Sequence, residues 1–458
     1  MSVQMRHRVY AATAAVVLLF SPAAGASESV FALEEVSTCE VVQQVPALAQ
    51  GHQAICTKEP SPGVRAYPAP KSDKPVYGSA QFGSLWEEKN PALLYHFVAD
   101  ESGGTGAGYD RLYVDLNGDK DLTNDAPASL RKDSPTELLL RYTSIEKVVF
   151  FEDVGIPLPF GSDGLRPLQF TPRLLLLKAG GAMFSLIPAK SRRGRIEIDR
   201  REYDVILGQD HPVCGWLDHP ETALCLMAPS TPGAKTSPAS PSLLMSMPCV
   251  GETYYRFAAS PTGDKLIVRS YEGPLGDFEI GGGHKFQTTE LTVVGTLRSR
   301  DAMIAVRGPT CRLPPGDYLF SSMKISHGPL EFAIQQNVHT DGGFRSRLHD
   351  VQTYPIRIRP GERFVLDFSN QPRVVFADPP RDHRVKRGET MFIEAVLADS
   401  MLDFVVSNFS YTPPAPADGS AQQKKSPSAR ARDAILHPHV VISRSSGEVV
   451  NEGVMHYG

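Results

Sequence analysis

Residues Tyr354–Phe368 read YPIRIRPGERFVLDF. Ile356 and Ile358 alternate with Arg357 and Arg359, and a period of two puts the isoleucines on one face of an extended chain and the arginines on the other. Pro360-Gly361 then supplies a residue of fixed φ followed by one free to take positive φ, before a second β-rich run opens at Arg363. The stretch therefore predicts a hairpin turning at Pro360-Gly361, with Ile356 and Ile358 facing a core. The same pattern recurs upstream in TYYRFAAS, DKLIVRSYEG, GDFEIGGG, TELTVVGTL, DAMIAVRG, CRLPPGDYLFSSMKIS and LEFAIQQN. Short strands at intervals of roughly 8 to 12 residues predict a sandwich or barrel.

The composition agrees. The 458 residues include 38 glycines and 38 prolines. Each proline removes a backbone donor and each glycine loosens a helix interior, so long helices are disfavoured. The expected fold is mainly β, with several β-sandwich or barrel-like domains in tandem, about three by length. ALLYHFVAD, YDRLYVDL, VVFFEDVGIPLPF, RLLLLKAGGAMFSLIPA and RIEIDRREYDVILG carry strand and hairpin signals. TELLLRYTSIEKVVFF fits either a helix, with Leu138, Tyr142, Ile145 and Val149 on one face, or a strand at its β-branched end. APSTPGAKTSPASPS has little to bury and reads as a linker. The expected divisions are a Cys-bounded segment with a Pro-rich linker at 27–78, a β-rich domain with an acidic loop at 79–229, a linker at 230–248, a β-sandwich at 249–370, and a β module at 371–458 interrupted by a disordered insert at 412–434.

Residues 1–26 have the form of a signal peptide: Arg6 and Arg8, the apolar run AATAAVVLLF, then Ala24-Gly25-Ala26. That run falls well short of the roughly twenty residues that span a bilayer. The expected product is secreted or periplasmic, with no transmembrane segment after cleavage. A formal net charge of −4 argues against a nucleic-acid binder, which would carry a basic face. The six cysteines lie beyond the leader, and an even count in an exported chain favours disulfides. Proximity suggests Cys39 with Cys56 and Cys214 with Cys225, leaving Cys249 for Cys311.

The chemistry concentrates in YVDLNGDKDLTND, Tyr113–Asp125. Asp115, Asn117, Asp119 and Asp121 stand two apart, with Asp125 beyond them. Alternate hard oxygens let a short loop wrap one cation, and an apolar eighth residue, Leu122, anchors it. The expected cofactor is Ca²⁺, held by Asp115, Asn117, Asp119, Asp121 and Asp125. The competing reading is a turn whose side chains cap their own backbone. Four carboxylates in so short a span repel one another, and that favours the ion.

The spacing resembles the calcium loops of EF-hand, dockerin and thrombospondin-type repeats, with two departures: Lys120 stands where an EF-hand has glycine, and Ala126 where it has a bidentate glutamate. The whole segment resembles a group of uncharacterised secreted bacterial β-rich proteins, a likeness that implies no particular activity. LPPGDY, Leu313–Tyr318, resembles the turn and strand of carboxypeptidase regulatory-like (prealbumin-like) domains. That likeness implies a non-enzymatic sandwich, with an extended entry at the prolines, a turn at Gly316 and an inward Tyr318. KRGETMFIEAVLAD and its surroundings resemble an immunoglobulin-like module of bacterial secreted proteins.

Gly-x-Ser-x-Gly, Walker, His-Glu-x-x-His and dinucleotide motifs are missing from the sequence. Asp210, His211, Asp218 and His219 read as loop residues before metal ligands. The chain is expected to be a non-enzymatic protein acting in extracellular or periplasmic binding or surface assembly, with an unknown protein or glycan partner. The alternative is a secreted hydrolase with a carboxylate-based site in 79–229.

Overall fold

The computed structural model describes residues 27–83, 93–105, 108–133, 135, 144–159, 164–209, 216–229, 242–281, 291–299, 302–327, 330–336, 355–367, 373–378, 394–398, 404–411, 439–443 and 446–454. The expected leader at 1–26 and the expected insert at 412–434 lie outside the described residues, as does the stretch 136–143, part of the segment that fits either a helix or a strand. The fold is mainly β, in several sheets. Its helical content among the described residues is Thr38–Val41 and a 3-10 turn at Pro46–Ala49. No helix among them is long and apolar enough to cross a membrane.

The largest sheet carries the acidic loop. Its strands run in the order Ala128–Ser129, Arg111–Val114, Leu94–Asp100, Val76–Gln81, His52–Thr57, Ala182–Pro188, Leu165–Leu177 and Ile145–Phe150. Val154–Pro159 pairs with the first half of the long strand Leu165–Leu177, whose second half pairs with Ile145–Phe150. This sheet surrounds a core of Phe82, Phe97, Leu112, Phe151, Phe170 and Phe184. Gly180 and Gly181 take positive φ at the hairpin joining Leu165–Leu177 to Ala182–Pro188, as the glycine pair predicted.

A second core lies between two further sheets. Ser242–Leu243, Ala223–Met227, Arg201–Gly208, Lys190–Ile198 and Glu34–Ser37 form one; Glu28–Ala32, Lys265–Tyr271, Thr253–Ala259 and Cys249–Val250 form the other. Ile196, Val205, Leu207 and Leu224 from the first pack with Phe257, Leu266 and Val268 from the second. Two expected boundaries move in consequence. Residues 27–57 are not a unit of their own, because their strands complete three different sheets. The end of the expected linker is packed: Ser242–Leu243 pairs with Ala223–Met227, and Leu244, Met245 and Met247 are buried. A leucine and two methionines give that segment enough apolar surface to hold it in place.

The third core lies between an eight-stranded and a three-stranded sheet. Tyr318 points inward as LPPGDY implied, 1% exposed, its hydroxyl donating to the Pro314 carbonyl at 2.9 Å. Gly316 already belongs to the strand Gly316–His327, so the bend falls before it. Ile356 and Ile358 are buried as expected, but the hairpin is not made. Ile356–Ile358 pairs antiparallel with Gly316–Tyr318, whereas Arg363–Asp367 runs parallel to Asp277–Gly281 in the other sheet. The turn is an arch between sheets. Gly361 takes φ +68°, and its N–H donates to the Leu275 carbonyl at 3.0 Å, a bond that directs the chain away from its own predecessor. Phe364 then stacks on Phe278, ring centres 6.2 Å apart.

Arg373–Asp378, Glu394–Ala398 and Phe404–Tyr411 are expected in a separate module beginning at 371, yet they continue this eight-stranded sheet through the pairing of Phe404–Tyr411 with Leu330–Gln336. An unpaired edge at Leu330–Gln336 would leave a row of open backbone groups, and the downstream strands satisfy it. The closing hairpin His439–Ser443 with Val449–Val454 forms around Ser446-Gly447 as read from the sequence.

The expected disulfides are not formed among the described residues. Cys39, Cys56, Cys225, Cys249 and Cys311 are thiols, and Cys214 lies outside those residues. Cys39 packs with Val42, Ala49, Phe150 and Ile187, whereas Cys56 packs on the large core of the acidic-loop sheet, so neighbours in sequence face different clusters. Cys249 and Cys311 both lie close enough to Tyr254 to act on its hydroxyl, without bonding one another. Burial pushes the Cys56 and Cys225 thiols up to about 11, which leaves them unreactive at neutral pH.

Candidate metal centre

Arg111–Val114 is a buried-edged strand paired with Leu94–Asp100, and its chain runs directly into the acidic loop. The first loop residue is fixed by the sheet: the Asp115 N–H donates to the His96 carbonyl at 2.9 Å. The Asp115 side chain is 1% exposed. Its Oδ2 accepts the Lys120 N–H at 3.1 Å, which curls the loop back on itself. Its Oδ1 is buried with no hydrogen-bond partner.

Lys120 takes φ +63°. This is the left-handed conformation for which EF-hand loops use glycine at the sixth position, so the first departure noted in the sequence does not alter the backbone path. Leu122, the eighth residue, is fully buried against Tyr77 and Val98, with Val64, Tyr67 and Tyr113 half-buried around it. The anchoring role expected of it is met.

The middle residues cap their own backbone. Asn117 Oδ1 accepts the Asp119 N–H at 2.9 Å, Asp119 Oδ1 accepts the Asp121 N–H at 2.8 Å, and Asp121 Oδ1 accepts both the N–H and the hydroxyl of Thr123. Thus Asn117, Asp119 and Asp121 form the successive Asx turns of the competing reading. Those two hydrogen bonds, with Arg65 at Oδ2, hold the Asp121 carboxyl below the usual range.

Asp125 differs. Its Oδ1 accepts the Leu116 N–H at 3.4 Å, and its Oδ2 is buried without a partner. Burial, then the charges of Asp115, Asp119 and Asp121, push its carboxyl up to about 6. All four carboxylates therefore act on one small volume. Among the described residues no three His, Cys, Asp or Glu side chains converge closely enough to hold an ion as they stand. Capture requires Asp119 and Asp121 to turn from their backbone caps toward the two unpartnered oxygens.

Three contributors were not read from the sequence. Asn124 donates its amide to Asp119 Oδ2 at 2.8 Å, placing a partial positive charge on a carboxylate of the loop. Arg65 reaches Asp121 Oδ2 at 3.2 Å from 56 residues upstream. His96 is 7% exposed, with a buried, unpartnered Nδ1; its pKa is lowered by burial, against an opposing pull from Asp115. Asn124 had a local signal, its place in the same polar run. The other two are set by strand pairing and chain crossing. Of the second polar group, Asp210 and His211 lie outside the described residues, and the His219 Nδ1 accepts the Glu221 N–H at 3.2 Å.

The donor set is all hard oxygen, which suits a cation that takes six to eight such ligands. A buried carboxylate oxygen without a donor is costly, and a bound cation removes that cost. The donor chemistry of Asp115, Asn117, Asp119, Asp121 and Asp125 suits calcium, with the unpartnered oxygens on Asp115 and Asp125 and the other three residues turned to their own backbone. No family model, curated protein or solved structure matches the chain.

Proposed function

We propose that the chain is a secreted or periplasmic, calcium-stabilised β protein whose β domains serve binding or surface assembly rather than catalysis. The observation that carries this reading is the pair of buried, unpartnered carboxylate oxygens, Asp115 Oδ1 and Asp125 Oδ2, at the two ends of one loop. Asp115, Asn117, Asp119, Asp121 and Asp125 would hold the ion, which would supply the positive charge that the two unpartnered oxygens lack. Extracellular calcium modules bind at about 10⁻⁴ to 10⁻³ M, near the concentration such a protein meets outside the cytoplasm. The leader sequence and the near-neutral net charge of −4 support export and argue against nucleic acid as a partner.

The test is thermal unfolding in chelator and in millimolar calcium, for wild type and Asp119→Ala, with native mass spectrometry of the same samples. At free calcium about ten times Kd, linkage adds roughly 1.4 kcal/mol to wild type. Asp119→Ala is expected to keep its fold and lose that increment, since the flanking strands are specified by their own apolar faces. Superimposable wild-type curves with no bound metal would leave the self-capped turn as the better account.

A further inference from the structure

The loop does not stand alone. The N–H groups of Arg65 and Ala66 both donate to the Lys120 carbonyl, at 2.7 and 3.3 Å, and the Leu122 N–H returns a bond to the Ala66 carbonyl at 3.0 Å. Ala66 and Asp121 thus form a parallel bridge. The strap leading to it, Ser61–Tyr67, is held internally by Val64 N–H to the Ser61 carbonyl and by Ser61 N–H to the Tyr67 hydroxyl, each at 3.1 Å. Val64 and Tyr67 pack on the cluster that buries Leu122. The near end of the strap, Pro60–Pro62, lines an open groove of about 550 Å³ together with Ile55, Lys58 and Gly78.

Every backbone bond between strap and loop ends on Lys120 or Leu122, and both positions depend on the coil around Asp115. The Lys120 carbonyl points toward the strap only while Lys120 keeps its left-handed φ, and the bond from Lys120 N–H to Asp115 holds that turn. Repulsion among Asp115, Asp119, Asp121 and Asp125 opposes the same coil. A cation replaces that repulsion with attraction.

We infer that cation occupancy of the acidic loop sets the seating of the strap Ser61–Tyr67, so that the ion site and the groove beside Ile55 form one coupled unit. This rests on the proposed calcium reading. Binding energy released at the carboxylates is transmitted through three backbone hydrogen bonds and one apolar cluster. Reciprocity then requires that loosening the strap weakens the ion.

Hydrogen exchange of the full chain, read peptide by peptide in chelator and at calcium about ten times Kd, tests this while calorimetry on the same preparation measures binding. Strap amides are expected to exchange about tenfold more slowly with calcium, whereas Ala182–Pro188, in the same sheet but away from the loop, stays unchanged. Val64→Ala, which has no polar contact with the loop, is expected to weaken calcium binding several-fold. Calcium that binds without slowing the strap, or a Val64→Ala variant whose strap exchanges faster at unaltered affinity, would overturn the coupling and leave the ion site standing. Absence of calcium binding in calorimetry would remove both.

Discussion

Asp125 lies one residue short of the place where an EF-hand carries its bidentate glutamate, and its Oδ2 is buried without a hydrogen-bond partner. Its folded value of about 6 stands above the ordinary 3.8 because of burial first and the neighbouring aspartates second. The folded loop therefore holds that proton more tightly than the unfolded chain does. Without metal, this contribution to stability is complete below about pH 3.8 and lost as pH rises through about 6. Melting temperature in chelator is expected to decline more steeply over that window for wild type than for Asp125→Asn, and millimolar calcium at pH 7 to restore the wild type alone. Parallel pH series would detach Asp125 from the effect. The polar coil from Asp115 to Asp121 was legible in the sequence because two-residue spacing is a local property. The positive φ of Lys120 was not, since lysine carries no preference for it and the turn is imposed by Asp115, the bridge to Ala66 and the burial of Leu122.

Among the elements, the arch at Pro360-Gly361 shows what periodicity records and what it omits. Alternation marked Ile356 and Ile358 as inward, and both are buried, because facing is decided residue by residue along one strand. Partner choice is decided by whatever competes for the backbone, and here Leu275 and the strand Gly276–Gly281 compete better than the preceding strand. Gly276 shows how tight that arrangement is: a Cβ there would sit 2.2 Å from the Arg359 carbonyl oxygen. Gly276→Ala is expected to cost about 1 to 3 kcal/mol by forcing the arch from its neighbour. Urea unfolding measures it, and a loss under about 0.5 kcal/mol would mean that the arch gives way easily. The third core's sheet runs past 370 for the same reason, since the likeness that set off a module at 371 does not say that Phe404–Tyr411 will extend the sheet of Leu330–Gln336.

At the scale of the whole molecule, the first strands of the described residues are shared out. Glu28–Ala32 lies beside Lys265–Tyr271, Glu34–Ser37 beside Lys190–Ile198, and His52–Thr57 inside the sheet that bears the acidic loop. Deleting residues 27–37 is expected to leave the Phe-rich core around Phe97 and Phe184 protected while opening two sheet edges, with faster hydrogen exchange in Lys190–Ile198 and Lys265–Tyr271 and a tendency to aggregate. Equal protection with and without those residues would show that the edges need no cover. The ion pair of Glu28 with Arg269 joins residues 241 apart in sequence. At the usual pace of synthesis, about 5 to 20 residues per second, the opening strand waits about ten to fifty seconds before its partner exists. Until then Glu28–Ala32 lacks the neighbour it has in the finished sheet, so this edge is among the last to close.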